Sequence, residues 1–212
     1  VRLDQYTVRA DHNFSINDRV FWQYLFSKET APIPSIIPLS GVTTAQSSWM
    51  TSAQWTHVFS PRLVNELRAA YNFLDVFRYQ NGSKFTLPFN PHHKILTVAT
   101  YRTASDRWQF DANVHWYGKQ RLPDTRNNPD DLRRPDYSQP FAIVSSQVRR
   151  AFKWIELFAG CENLFGFRQS RPLLGWEHPF GRGFDPSFAW GPTRGREFYA
   201  GFNFKLNKKD KT

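Results

Sequence analysis

A chain of 212 residues that is 40% hydrophobic and 17% aromatic carries enough apolar mass for one sizeable domain. Its mean hydropathy of -0.59, with no apolar run reaching the roughly 18 residues a membrane-spanning helix needs, excludes a transmembrane helix. A net charge of +10 with 28 Lys and Arg would suit nucleic acid, but the basic residues are spread through the chain. Only Lys208-Lys209-Asp210-Lys211 forms a run, so nucleic acid is not an expected partner. A single cysteine, Cys161, excludes an internal disulfide framework and a cysteine-based zinc cluster. The chain opens at Val1 without a leader or a starting Met and reads as a mature product or a piece of a longer one. The 20 Phe, 8 Trp and 8 Tyr need an apolar setting, either a soluble core or the outer belt of a membrane barrel.

From the start, apolar and polar residues alternate. Tyr6, Val8, Ala10, His12 and Phe14 share one parity, and Thr7, Arg9, Asp11 and Asn13 share the other. Successive strand side chains point to opposite faces, so this is a strand with one apolar side. Ser15-Ile16-Asn17-Asp18 supplies turn residues, and Val20, Trp22, Tyr24 and Phe26 form the next apolar face. Residues 30–47, rich in Pro, Ser and Thr, read as a long loop. Trp49, Ala53, Trp55 and Phe59 follow, then a tight Ser60-Pro61-Arg62 turn. Leu67, Ala69, Tyr71 and Phe73 then oppose Glu66, Arg68, Ala70 and Asn72.

After a loop over 81–91, residues 93–103 read as a weaker strand, apolar on both parities, and Ala104-Ser105-Asp106 as its turn. The clearest strand is 107–119. There Trp108, Phe110, Ala112, Val114, Trp116 and Gly118 oppose Arg107, Gln109, Asp111, Asn113, His115, Tyr117 and Lys119. A loop over 122–140 leads to strands 141–152 and 154–165, which almost abut. The longest loop, 168–194, precedes the last strand at 196–206.

Short turns thus alternate with long loops, the pattern of barrels with short periplasmic turns and longer extracellular loops. The expected fold is all-β, a transmembrane antiparallel β-barrel of about nine or ten strands, self-contained or part of a larger one. The barrel domain would cover 1–206 without a plug, leaving a polar tail at 207–212. The expected setting is the bacterial outer membrane, with its lipid as partner. Two other readings stand beside this one: a stand-alone barrel that scaffolds or binds without transport, and a soluble all-β binding protein.

In the barrel reading Arg9, Asp11, Glu66, Arg68, Asp111, His115, Lys119 and Glu162 face the lumen as a charge ladder. The last long loop offers Arg168, Arg171, Trp176, His178, Arg182 and Trp190. Arg and Trp together suit an anionic or carbohydrate-like solute through bidentate hydrogen bonds and stacking; packing of the loop against its neighbours is the equal alternative. His92 and His93 point to opposite faces if extended and cannot share a metal. No nucleophile–base spacing or phosphate loop is present, so neither an enzyme nor a cofactor is expected. Cys161 shares the parity of Ile155, Leu157 and Ala159, toward lipid.

Asp11-His12-Asn13-Phe14-Ser15 leading to Asp18-Arg19-Val20-Phe21 resembles the barrel of Oar-like TonB-dependent receptors. So does the run Thr56-His57-Val58-Phe59-Ser60-Pro61-Arg62-Leu63-Val64-Asn65-Glu66-Leu67-Arg68. The second half resembles the C-terminal barrel of Bacteroidetes-type TonB-dependent receptors. There the likeness rests on His115-Trp116-Tyr117-Gly118-Lys119-Gln120-Arg121-Leu122-Pro123, Glu162-Asn163-Leu164-Phe165, Trp190-Gly191-Pro192, Gly195-Arg196 and Tyr199-Ala200-Gly201. Tyr199, Gly201, Phe204 and Leu206 resemble the terminal signal read by the barrel-assembly machinery, which would pair with that strand by β-augmentation. The resemblance implies uptake or passage of a small solute. Such receptors have about 22 strands around a plug, so here a plug and a TonB contact would be supplied elsewhere.

Overall fold

The computed structural model describes residues 1–33, 41–60, 63–80, 83–105, 107–181 and 183–204. Ten antiparallel strands form one sheet: β1 (Arg2–Asn13), β2 (Asp18–Ile33), β3 (Val42–Ser60), β4 (Leu63–Gln80), β5 (Ser83–Thr86), β6 (His93–Arg102), β7 (Trp108–Tyr117), β8 (Phe141–Ala151), β9 (Ile155–Glu162) and β10 (Glu197–Phe204). Nine follow one another as neighbours in chain order, and β5 pairs with the end of β4 beyond β6. Among the described residues the sheet is open, with β1 and β10 at its two edges. Nine antiparallel strands leave those edges running in the same direction. No helix among the described residues is long and apolar enough to cross a membrane.

The expected alternation of connections holds. Residues 14–17, 61–62, 103–107 and 152–154 make the short ones, and 118–140 and 163–196 the longest. The expected loop over 30–47 is a correction. β2 runs to Ile33 and β3 begins at Val42, with Thr30 opposite Ala45 and Pro32 opposite Thr43. Ser and Thr fit an exposed ladder. Pro32 lies beyond Arg2, the last β1 residue to pair with β2, where a missing N–H costs no bond on that side. The strand expected at 107–119 spans Trp108–Tyr117, because Gly118 donates its N–H to the His93 carbonyl at 2.9 Å and Gln120 leaves to bridge Pro91. Strand 154–165 likewise ends at Glu162. Asn163 then turns the chain at a φ of 50°, a conformation Asn tolerates. Pro61, Arg62, Asp106, Arg182, Leu206 and the tail 207–212 lie outside the described residues.

One face is apolar and uncovered. On it Trp49 packs against Tyr71 at 5.0 Å and Phe73 at 5.9 Å, with Tyr24 beside it at 6.4 Å. Nearer the short turns, Trp108 stacks on Phe110 and Phe110 meets Tyr101. Small and aliphatic residues lie between, including Ala53, Ala69, Ala112 and Val114. On β7, Trp108 and Trp116 bound this band, roughly 26 Å of strand at about 3.3 Å per residue. At a tilt of 35–45° that is about 20 Å, close to the roughly 25 Å apolar belt of a membrane barrel with its aromatic girdles.

Candidate functional site

The opposite face is polar, and the register carries it from edge to edge. Asp111 lies opposite Thr100 on β6 and Gln147 on β8. The same row continues through Glu66, Thr56 and Arg19 in one direction and through Gly160 and Tyr199 in the other. The next row joins Asp11, Phe21, Gln54, Arg68, Val98 and Asn113. Arg9 and His115 share the row beyond, through Gln23, Ser52, Ala70 and Leu96.

These groups bond to one another. Arg9 holds Asp11 at 2.7 and 2.8 Å. Gln54 donates to Glu66, which Arg68 also meets at 3.0 Å. Thr100 and Gln109 each donate to Asp111 at 2.8 Å. Gln109 accepts from Arg102 and from Arg149, whose other arm reaches Glu156 at 3.2 Å. The result is a cross-strand ladder of the kind that stabilises one sheet face. Arg9, Asp11, Glu66, Arg68, Asp111 and His115 therefore share one surface. Lys119 lies past the end of β7, and Glu162 closes β9 opposite Glu197.

Two aromatic rings on the polar face, Tyr199 and Phe158, sit directly over glycines of the neighbouring strand. A Cβ on Gly160 would strike the Tyr199 ring, and one on Gly201 the Phe158 ring. Tyr199 donates from this position to Gln147 at 3.1 Å. Gly160→Val should displace Tyr199, break that bond and cost about 1–3 kcal/mol, as overpacking does. Urea titration of the refolded protein in detergent checks this, and Tyr199→Ala should relieve part of the loss.

The long connections are not merely polar loops; they hold the best-buried side chains among the described residues. Phe188 is 2% exposed, with Leu122 and Leu174 also buried. Phe141 at the start of β8 stacks on Tyr117 at 4.9 Å and Phe167 at 5.0 Å, and Trp190 leans on both phenylalanines. Buried amides satisfy the backbone of the layer. Gln169 accepts from the Trp190 and Gly191 N–H groups at 2.7 and 3.0 Å and donates to the Phe188 carbonyl. Gln120 donates to the Trp190 carbonyl at 2.7 Å, and Asn163 clasps Phe167 through both its N–H and its carbonyl. Sequence reasoning missed these amides. Their signal was the scatter of Leu122, Leu174 and Phe188 through segments otherwise rich in Pro and Gly.

A cavity of about 680 Å³ opens between the two connections, lined by Asp131, Leu132, Arg134, Arg171, Trp176 and Glu177 among others. That volume is in the range of small-molecule sites. Trp176 is 56% exposed, and the Arg134 Nε is buried without a partner among the described residues. Of the expected loop group, Arg171 and Trp176 reach this cavity, whereas Trp190 is part of the packed layer and His178 is exposed. Arg168 is also exposed, its guanidinium lying over Gly195.

In the same layer the Arg126 side chain, helped by its own N–H, holds the Asp124 carboxyl down at about 2 against an ordinary 3.8. A lowered folded-state value adds stability that is complete above about pH 4 and lost as pH falls toward 2. Carboxylate NMR should place the Asp124 midpoint near 2, and Arg126→Gln should return it toward 3.8.

The family model of the outer membrane beta barrel domain matches residues 1–130. The chain belongs to that family. β8, β9 and β10 extend the same sheet beyond the matched residues. An outer membrane barrel chain meets hydrocarbon on its apolar side, which accounts for the uncovered Trp, Phe and Val rows. No curated protein matches the chain. Among solved structures it is similar to the ferric-catecholate import receptor Fiu from E. coli K12. The closed form is 12% identical with a TM-score of 0.48, covering 93% of this chain and 34% of that one. The open form is 11% identical with a TM-score of 0.36, covering 93% and 29%. The barrel chain spans about a third of that receptor's length.

Proposed function

We propose that this barrel chain is part of the wall of an uptake receptor of the TonB-dependent type, passing a solute across the bacterial outer membrane. The observation that carries the reading is the hydrogen-bonded polar face that runs through neighbouring strands opposite the lipid-facing one. A wall needs such a wetted surface only if water or solute lies behind it. In this reading Arg9, Asp11, Glu66, Arg68, Asp111 and His115 line the lumen, with Lys119 and Glu162 at its rim. β1 and β10 run the same way, so antiparallel closure takes an odd number of further strands. TonB and a plug come from elsewhere, and the barrel-assembly machinery engages the final strand. The cavity holding Arg171 and Trp176 receives the solute, and the resemblance over 115–123 and 162–165 supports the receptor type.

A non-conducting scaffold is the second reading. It draws on the mutual satisfaction of Gln109, Asp111, Arg149 and Glu156, which leaves few free groups for a solute. Liposome swelling with the inserted full-length protein separates the two. Solute entry supports passage, and a sealed vesicle carrying inserted protein contradicts it.

A further inference from the structure

A cation stands on the apolar face, where a charge is costly unless something anionic meets it. Arg150 has the parity of Val144, Ser146 and Val148, and lies opposite Trp108 on β7 and Leu157 on β9. Its guanidinium is 4.8 Å from the Trp108 ring centroid and 4.7 Å from that of Phe152. Among the described residues no carboxylate pairs with it. Arg149, on the polar parity, takes Glu156 instead. In the adjoining turn, Lys153 lies 5.4 Å from the ring of the exposed Trp154. Both cations are therefore at the short-turn margin of the apolar band, among its aromatic residues.

The same face is hollow just inward of them. A depression of about 550 Å³ is lined by Tyr101, Phe110, Ala112, Ser146, Val148 and Ala159 among others. Ala112 and Ser146 are direct partners, and so are Phe110 and Val148 one row nearer Arg150. From Arg150 to Ser146 is four residues, about 13 Å of strand. Small side chains leave the hollow, and larger ones wall it.

We propose that Arg150, Lys153 and this depression form a binding site for one anionic glycerophospholipid. Its phosphate sits between the two cations, and one acyl chain fills the depression. A guanidinium engaged with aromatic rings keeps N–H donors free for phosphate oxygens. Trp108 and Trp154 suit the ester region, where an apolar ring with one polar edge is favoured. Short turns of such barrels lie on the periplasmic side, which sets the occupant as a phospholipid of that leaflet. Free phosphate would leave the hollow unfilled.

The test inserts the full-length protein into phosphatidylcholine vesicles containing a small fraction of phosphatidylglycerol with brominated chains. Tryptophan quenching reports association, and brominated phosphatidylcholine is the reference. Each basic residue near an anionic surface is worth about fivefold, so phosphatidylglycerol should be preferred roughly 25-fold. The paired substitution Arg150→Gln with Lys153→Gln should bring the preference close to one, while Arg150→Lys keeps most of it. Ala112→Phe, which fills the hollow and leaves both cations, should lower it about tenfold. Equal association of the two lipids overturns the site, as does a preference that survives the paired substitution. Displacement by inorganic phosphate, or a stronger preference for lipopolysaccharide, overturns the choice of occupant. Insertion is read separately by heat-modifiable migration. A chain that fails to insert overturns the membrane placement itself, whereas an inserted chain without preference overturns only this site.

Discussion

Ala112→Arg should destabilise the inserted barrel chain by about 2–4 kcal/mol, while Asn113→Arg, one residue away, should cost less than about 1 kcal/mol. Ala112 lies midway between the Trp108 and Trp116 margins of the apolar face, in one row with Leu67, Ala99 and Ser146. An arginine there is held in hydrocarbon with no partner across the strand. Asn113 faces the other way, opposite Val98 and Ser145, in a row that already holds Arg68 and Asp11. Both variants add the same charge at the same depth, so the difference isolates the face. Urea-dependent folding into lipid vesicles measures it. Equal penalties at the two positions would contradict the assignment of faces.

Phe188→Ala should unfold the loop layer while leaving the sheet in place. Phe188 is the most fully buried large side chain among the described residues; it meets Phe89 edge-on at 6.2 Å, and Leu122 and Leu174 are buried in the same layer. Removing a buried phenylalanine costs about 3–5 kcal/mol, comparable to what a layer of this size can hold. Its supports are then lost together: the Gln169 bonds to Phe188 and Trp190, and the Leu174–Asp185 bridge. Hydrogen exchange should show residues 118–140 and 163–196 losing protection, with β6, β7 and β8 unchanged. If the cavity holding Arg171 and Trp176 receives the solute, binding should fall with the layer. An unaltered exchange pattern would show that the layer does not depend on this core.

What could be read in advance follows the range of the interactions involved. Alternation is local, so the strand that carries Asp111 and the chain of short turns were legible from residue types alone. Strand ends were less so. Pro32 and the Ser/Thr-rich stretch around Val42 look like loop until the missing neighbour beyond Arg2 is known. Parity also blurs toward β9 and β10, where Phe158 sits on the polar face because Gly201 leaves room for its ring. The polar ladder was half legible. Glu66, Arg68 and Asp111 stand out by parity, but that Gln109 links Arg102 to Arg149 depends on three strands meeting. The loop layer was hidden altogether. Gln169 and Gln120 bond to the backbone near Trp190 across 21 and 70 residues, and no local pattern encodes such a contact.

Hydrocarbon covers the outward row of the sheet, and β7 reports it most directly. Single cysteines placed along β7 from 108 to 117, in a Cys161→Ser background, can be spin-labelled and probed in vesicles with lipid-soluble oxygen and a water-soluble nickel chelate. Oxygen should reach labels at 110, 112, 114 and 116, and the chelate labels at 109, 111, 113 and 115. Uniform accessibility, or the same alternation with the two quenchers exchanged, would contradict the hydrocarbon cover.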